Sequence, residues 1–537
     1  MDTSKNTSKM GRNAFSTVAS ASFGVVTGIV LDMLVVNLFG LSPETDAYYV
    51  AITIPLAVVT ILMLQATRVV QPMLIAKRQS GGDSDGWKYL NLVLTTGTAI
   101  VAAFCAVGAL LSPLLMSLQV DSAKGDMALA VRLSTFSFAI LPLYFPIIVM
   151  RAALNSFDVF ALPGAMKLFE NVFKILFLLL LGSRFGVLAL VFGTLAGSLF
   201  QLGSFYIALR RKGLRFKPAF GLRHADMVQA YGLVGFQLTA QTAGSSVDVI
   251  NNALATRLGE GSVTALKLAQ RIIESFAGLL PASVILAAMP TVAASVASGD
   301  QQGTKNHLRR GFYLLLLVTL PLSIWLGLIN RPLIAFLYER KSFLASDTAL
   351  VSSLLLLTIP YLLLGRFRSL FELPFFAEQN TRTPLLASVI ENATYIATTL
   401  LLVKFMKIYS LPIGRGIASV VGPCFLGYLL ARKMGHLHLG LLRSSISKLC
   451  LASGVMAAFI LLGSWLSPLV PVNGWHLGPF DVAKVVALAL PTTIGFIALA
   501  ISMFSLGILD SSILEMFPPL RNRWLSRLIL AKDSSKT

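Results

Sequence analysis

The chain has 537 residues, 55% of them hydrophobic and 13% charged, at a mean hydropathy of +0.77. That is more apolar sequence than one globular core can bury, which excludes an ordinary soluble domain. The formal charge of +20 would suit nucleic acid, but the basic residues fall between apolar runs and form no stripe with interleaved aromatics, which excludes that partner too.

Residues 1–13 are polar, carry Lys5, Lys9 and Arg12, and lack an apolar core followed by a small-residue cleavage site, so a cytoplasmic segment without a removable signal is expected. Apolar runs of roughly 20 residues or more then recur, the length a helix needs to cross ~30 Å of hydrocarbon, which predicts helices and not barrel strands. They fall near 14–39, 46–76, 89–117, 127–154, 158–182, 185–209, 226–257 and 262–297. Six more lie near 308–329, 349–377, 384–406, 411–432, 446–466 and 482–507, giving about fourteen transmembrane helices in an all-α integral membrane fold.

Alternate loops gather the positive charge: Lys77, Arg78 and Lys88, then Arg210 to Lys217, then Lys305, Arg309 and Arg310, then Arg432, Lys433, Arg443 and Lys448. The opposite loops are poorer in Lys and Arg, with Arg331, Arg340 and Lys341 the main exception. By the positive-inside rule both termini are cytoplasmic. The tail, 509–537, sets Trp524 and Leu528 among Arg521, Arg523 and Arg527, the pattern of an interfacial amphipathic segment on anionic phospholipid.

An ionisable group inside a span is expensive unless it meets a partner or a wet cavity, so each is a candidate for function. In chain order these are Asp32 in the first span, Arg68 in the second, Lys167, Glu170 and Lys174 in the fifth, and Asp248 in the seventh. Lys267, Arg271 and Glu274 follow in the eighth, Arg366, Arg368 and Glu372 in the tenth, and Glu391 in the eleventh. On a helix Lys267 and Arg271 share a face and Glu274 is close enough to pair with Arg271. Two readings stand for that face: a cationic cavity for a pyrophosphate, since Arg offers a forked donor set and Lys a mobile charge, or intramembrane pairing and snorkelling. Arg366 and Arg368 cannot both face one way, and one of them can pair with Glu372. Lys167, Glu170 and Lys174 have the spacing of a self-neutralising ladder. Gln65, Gln71, Gln237, Gln241, Asn251 and Asn252 could bind sugars or join helices.

An internal repeat is visible. Pro163 precedes Glu170-Asn171 by seven residues, and Pro384 precedes Glu391-Asn392 by the same distance, 221 positions later. A looser match pairs Phe39-Gly40 with Leu258-Gly259, 219 positions on. The expected organisation is a six-helix lobe over 14–222, a second over 223–440 related by a pseudo-two-fold axis, and two further helices over 441–508. Cys105, Cys424 and Cys450 suggest neither disulfides nor a metal site, and His436 and His438 sit in a basic loop, so no metal or cofactor is expected. Walker loop and nucleophile elbow are both missing, and the connection 467–480 has a single His and no carboxylate, which speaks against an enzyme.

Three stretches, Phe39-Gly40 to Val50, Ala269 to Glu274 and Gln379 to Pro384, together resemble the MurJ/MviN lipid II flippase family, of the multidrug/oligosaccharidyl-lipid/polysaccharide exporter superfamily. Phe39-Gly40-Leu-Ser-Pro-Glu-Thr-Asp46-Ala-Tyr-Tyr-Val50 is similar to its F-G-x-x-x-x-T-D-A-F-F-V turn. Ala269-Gln270-Arg271-Ile272-Ile273-Glu274 resembles its A-x-R-x-x-E helix, and Gln379 to Pro384 its Q-x-x-x-T-P approach to the eleventh span. The resemblance implies two lobes around a cavity for the pyrophosphate-sugar, and a groove for the polyprenyl tail on the last two helices. By the same resemblance Arg271 matches a cavity arginine, Asp46 the acidic turn, and Asp32 the aspartate that ends the first-span motif. The family's S-R-x-x-G-x-x-R-D pattern appears as Gly24 to Asp32 with both arginines replaced by Val25 and Leu31. Its second-span arginines fall near Val59 and Thr60, leaving Arg68 to supply a relocated charge. The expected substrate is therefore a polyprenyl-linked glycan lipid, lipid II first, with an exopolysaccharide, capsule or O-antigen unit, or a drug or cation, as alternatives. Arg271, Arg68, Lys267, Arg366 and Arg368 are expected to bind it. Asp32, Asp46, Glu274, Asp248 and Glu391 are expected to serve conformational change or coupling, and cell-envelope synthesis enzymes are expected partners.

Overall fold

The computed structural model describes residues 24–121, 126–228, 247–471, 476–477 and 480–508. Helix α1 (Gly24–Phe39) ends at Gly40, and α2 (Pro43–Gln65) starts at once. The restart is encoded locally: Ser42 Oγ accepts from the Thr45 N–H and Thr45 Oγ1 from the Ser42 N–H, a capping box with Pro43 at the first helical position. A π-helical stretch, Ala66–Val70, carries the chain into α3 (Gln71–Leu110), which breaks at Gly82 (φ 72°, ψ −178°). The break separates the second span from the third, as the apolar runs predicted. A short α4 (Ser112–Ser117) extends the third.

Helices α5 (Met127–Ser156), α6 (Ala161–Phe185) and α7 (Leu188–Arg211) follow, then α8 over 247–258 and α9 (Ser262–Ala297). The remainder is α10 (Gln301–Tyr338), α11 (Ala345–Ala377), α12 (Arg382–Met406), α13 (Ser410–Met434), α14 (Arg443–Leu466) and α15 (Val482–Ser505). Before α15, His476–Leu477 (β1) pairs antiparallel with Phe480–Asp481 (β2), and Asp481 caps the helix by accepting from the Ala483 N–H at 3.0 Å. With α4 counted as part of the third span, these elements supply the about fourteen crossings of an all-α, multi-pass membrane protein. The N-terminal segment 1–13, most of the seventh span with Gln237 and Gln241, and the tail with Trp524 and its arginines lie outside the described residues.

The chain packs as two compact units, one within Met1–Ser275, Tyr338–Val351 and Tyr395–Leu411, the other within Phe276–Leu337, Ser352–Thr394 and Pro412–Thr537. In the first, large side chains seat on glycines: Phe145 on Gly97 of α3, Phe138 on Gly108. Gly193 of α7 brings that helix against the backbone of Lys174 on α6. In the second, Gly463 of α14 meets Pro491 of α15, and Gly495 meets Ile460. Small residues let helices approach closely where hydrocarbon supplies no hydrophobic drive to associate. Phe405 is 84% exposed and Trp465 70%, which fits hydrocarbon and not water as the surroundings.

The structure also moves one repeat match. Gly40 has φ +67° and Gly261 φ +73°, whereas Gly259 has φ +153°. Gly261 falls 221 positions after Gly40, the same spacing as the two Glu-Asn pairs, so it and not Gly259 is the conformational counterpart. A Cβ on Gly40 would lie 2.7 Å from the Ser342 carbonyl oxygen. Gly40→Val should therefore lower stability by about 2 kcal/mol or more, read by thermal unfolding in detergent. Gly203→Ala, where a Cβ meets nothing within 4 Å, should leave the transition at or above wild type.

Candidate functional site

The first unit collects its ionisable groups in pairs. Asp32, midway along α1, takes the Tyr49 hydroxyl of α2 as donor at 3.2 Å on Oδ1 and Arg271 Nε of α9 at 3.4 Å on Oδ2. The tight Gly40 to Ser42 turn puts α1 and α2 side by side, which is what brings Tyr49 to Asp32. Gly28, one turn before Asp32, gives the guanidinium room: any side chain there would collide with Arg271 Nη2. The Asp32 side chain is 14% exposed and that of Arg271 38%, so the carboxylate is the more enclosed partner of the pair.

A second group lies on α5, α6 and α7. Glu170 Oε1 accepts from Lys174 Nζ at 2.6 Å and from the Tyr144 hydroxyl at 3.1 Å, while Oε2 accepts from Gln201 Nε2 at 3.4 Å. Its neighbour Asn171 reaches α1, donating to the Gly24 carbonyl at 3.2 Å and to Thr27 Oγ1 at 3.0 Å. The predicted self-neutralising ladder is thus present for Glu170 and Lys174; the side chain of Lys167 lies outside the described residues.

Asp46 is buried and accepts from both the N–H and the hydroxyl of Thr264, at 2.8 and 2.6 Å. It caps the first turn of α9 from the first turn of α2, where the unpaired N–H groups and the helix dipole favour an anion. Lys267 Nζ stands 3.4 Å from Asp248 Oδ1 of α8. Each cation of the Lys267 and Arg271 face therefore has a carboxylate partner. Asn252 donates to Thr53 Oγ1 at 2.8 Å and Gln119 Oε1 at 3.2 Å, and Asn251 accepts from the Tyr395 hydroxyl. Both asparagines are buried and join helices.

In the second unit Arg368 of α11 sits between two buried carboxylates, its Nε 3.4 Å from Glu372 Oε1 and its Nη1 3.3 Å from Glu391 Oε2 of α12. Gly422 of α13 leaves space for both Glu391 and Arg368. Nearby, Arg415 lies over the Tyr361 ring at 4.7 Å. The two repeat glutamates thus have related surroundings, with Gln201 and Gly422 facing them 221 positions apart.

Three expected residues stand apart. Arg68 lies on the π-helical stretch with its side chain exposed, and among the described residues nothing pairs with it. Glu274 is exposed and not joined to Arg271, which takes Asp32 instead. Arg366 has no ion-pair partner among the described residues. Nor do three His, Cys, Asp or Glu side chains there converge as a metal site would require. Sequence reasoning passed over Tyr49, Tyr144 and Gln201, because a hydroxyl or amide in an apolar run announces no partner until the helices are packed.

A family profile described as lipid II flippase MurJ matches residues 35–473. A probable lipid II flippase MurJ of Rhizobium tropici is 26% identical over 79% of this chain and 81% of its own. A solved structure described as lipid II flippase MurJ in an inward closed conformation matches with a TM-score of 0.72 at 19% identity, covering 91% of this chain and 99% of that one. An inward-facing multidrug resistance MATE family transporter of the MOP superfamily matches less well, with a TM-score of 0.59 at 14% identity over 77% of this chain and 95% of its own. The two structural likenesses show the fold.

The Glu170 and Lys174 pair should behave as a structural lock. Lys174→Met leaves a carboxylate stranded among apolar neighbours and should cost about 3–5 kcal/mol, as should Glu170→Gln beside an intact Lys174. The double change should recover a large part of that loss in thermal unfolding.

Proposed function

Because the chain belongs to the lipid II flippase MurJ family, we propose that it moves lipid II, a polyprenyl-pyrophosphate-linked glycan, across the bacterial cytoplasmic membrane by alternating access. The observation that carries this reading at the site is Arg271: an arginine inside a membrane helix, engaged through Nε by Asp32 and with 38% of its side chain exposed. A guanidinium offers pyrophosphate two parallel donors, and each such charge-assisted bond is about twice as strong as a neutral one.

Asp32 gives the arginine a resting partner. Arriving pyrophosphate exchanges one anion for another, so the cation is never left alone in a medium of low dielectric, while Tyr49 keeps a hydrogen bond on the released carboxylate. In the state facing the other side the exchange reverses and Asp32 displaces the substrate. Two lobes, 14–222 and 223–440, would rock about this region, with 441–508 holding the polyprenyl tail. Arg68 and Lys267 extend the anion path within the first unit, and Glu391 with its Arg368 partner serves the second unit as the Glu170 group serves the first.

Both termini are assigned to the cytoplasm by the basic loops, so substrate enters on the positively lined face. Moving negative charge outward is favoured by a potential that is negative inside, at ~2.3 kcal/mol per charge per 100 mV. Such a transporter forms no covalent bond itself; cell-envelope synthesis enzymes supply its substrate on one face and consume its product on the other.

The test is complementation in cells depleted of their lipid II flippase, scoring growth and the accessibility of lipid II at the outer face. Wild type should rescue and Arg271→Ala should not, at equal abundance in the membrane. Asp32→Asn should bind lipid II more tightly yet transport it at least roughly tenfold more slowly, since the displacing anion is gone. Rescue by Arg271→Ala would remove the arginine from the mechanism, and failure of well-expressed wild type would move the substrate to another polyprenyl-linked glycan.

A further inference from the structure

A second cationic site lies within the second unit, in a cavity of about 450 Å³ between the start of α10, the start of α14 and the residues that follow α15. Asn306, Arg309, Arg310 and Tyr313 bring one side of α10 to it, and Ser445 and Lys448, three apart on α14, bring the other. Among the described residues lining it, none is acidic. Arg309 and Lys448 differ in this from Lys267, Arg271 and Arg368, each of which stands beside a carboxylate.

Arg309 is fixed and incomplete. Its Nη2 donates to Asn306 Oδ1 at 2.9 Å, which sets the plane of the guanidinium, while its Nε is buried and meets no acceptor among the described residues. A buried N–H of a charged group without an acceptor is costly, and no carboxylate among the described residues lining the cavity offsets the Arg309 charge. Arg309 and Lys448 share one cavity and repel each other, and an anion of more than one charge removes that repulsion. The Tyr313 and Ser445 hydroxyls can donate to the same oxygens. Leu314 and Leu442 form an apolar wall beside them, so the cavity suits a ligand with a phosphate at one end and hydrocarbon at the other.

We propose that this cavity binds the phosphate of a lipid drawn from the leaflet on the basic face, at a site separate from Arg271. Assigning that face to the cytoplasm rests on the function proposed above; the phosphate site itself does not. Two lipids carry the chemistry, an anionic membrane phospholipid and a polyprenyl pyrophosphate, and an occupant here would sit where the last two helices begin and end.

The experiment is lipid binding to the full chain by native mass spectrometry, with phosphatidylglycerol, phosphatidylcholine, undecaprenyl pyrophosphate and inorganic pyrophosphate as probes. Wild type should prefer phosphatidylglycerol or undecaprenyl pyrophosphate over phosphatidylcholine, and the preferred lipid identifies the source. Arg309→Gln with Lys448→Gln should weaken that lipid by roughly tenfold or more, as the loss of charged hydrogen bonds requires. Ser445→Glu, which places a carboxylate inside the cavity, should weaken it similarly, and Arg271→Gln should leave phosphatidylglycerol binding in place. Unchanged binding in both cavity variants overturns the proposal, as does binding of inorganic pyrophosphate as tight as that of the lipid. Because the readout is binding and not growth, a wild type that fails complementation removes the lipid II reading and leaves this result standing.

Discussion

A charge inside hydrocarbon is costly unless another group answers it, and four groupings in this protein meet that requirement. Asp32 is matched by Arg271, Glu170 by Lys174, Asp248 by Lys267, and Arg368 by Glu372 and Glu391. Three of these groupings join different helices, so each ties two elements whose apolar surfaces alone would not specify a register. In water such pairs contribute little; between membrane helices an unanswered partner is disfavoured by several kcal/mol, and the pairing becomes a condition for the helix to sit at that depth.

Close backbone approach makes the pairs attainable. Gly28 admits the Arg271 guanidinium to α1, Gly197 lets α7 lie on the backbone of Glu170, and Gly422 clears space for Glu391 and Arg368. In each case an added Cβ would push the helix or the charged group away. Capping acts on the same geometry: Asp46 ends one hydrogen-bonding problem at the start of α9, which carries Arg271 two turns further on. A substitution at the cap would be felt at the arginine through the position of the helix.

Much of this was legible in the sequence. Helix ends, from Met127 of α5 to Ala297 of α9, follow the apolar runs because transfer into hydrocarbon depends on local composition. The ionisable residues named themselves by their cost, and the lysine and glutamate of α6 by their spacing. Partner choice was not legible: Arg271 has Glu274 one turn away on its own helix yet pairs with Asp32, because helix rotation turns Glu274 outward and α1 packs where Gly28 permits. Arg309 and Lys448 read as ordinary positive-inside loop charges, since the helical continuation of α10 back to Gln301 and its approach to α14 are tertiary facts. The glycine match was misplaced by two residues because identity was scored without conformation.

The same pairing rule separates structural from exchangeable charges. Glu170 has three donors, the nearest at 2.6 Å, and it and Lys174 are each less than one fifth exposed, so an incoming anion would have to break a satisfied network to reach the lysine. Arg271 is joined to Asp32 at 3.4 Å through one nitrogen and is 38% exposed, while Asp32 retains Tyr49 whether or not the arginine stays. A phosphate that replaces Asp32 there leaves the carboxylate with the Tyr49 hydroxyl, which offsets part of the cost, and an arginine placed so is suited to bind an anion in one state and release it in another. Arg309 represents a third condition, with a buried nitrogen that no described residue answers. Graded in this way, a locked pair serves the fold, an exchangeable pair serves a transport step, and an unanswered charge waits for a ligand that the chain itself does not supply.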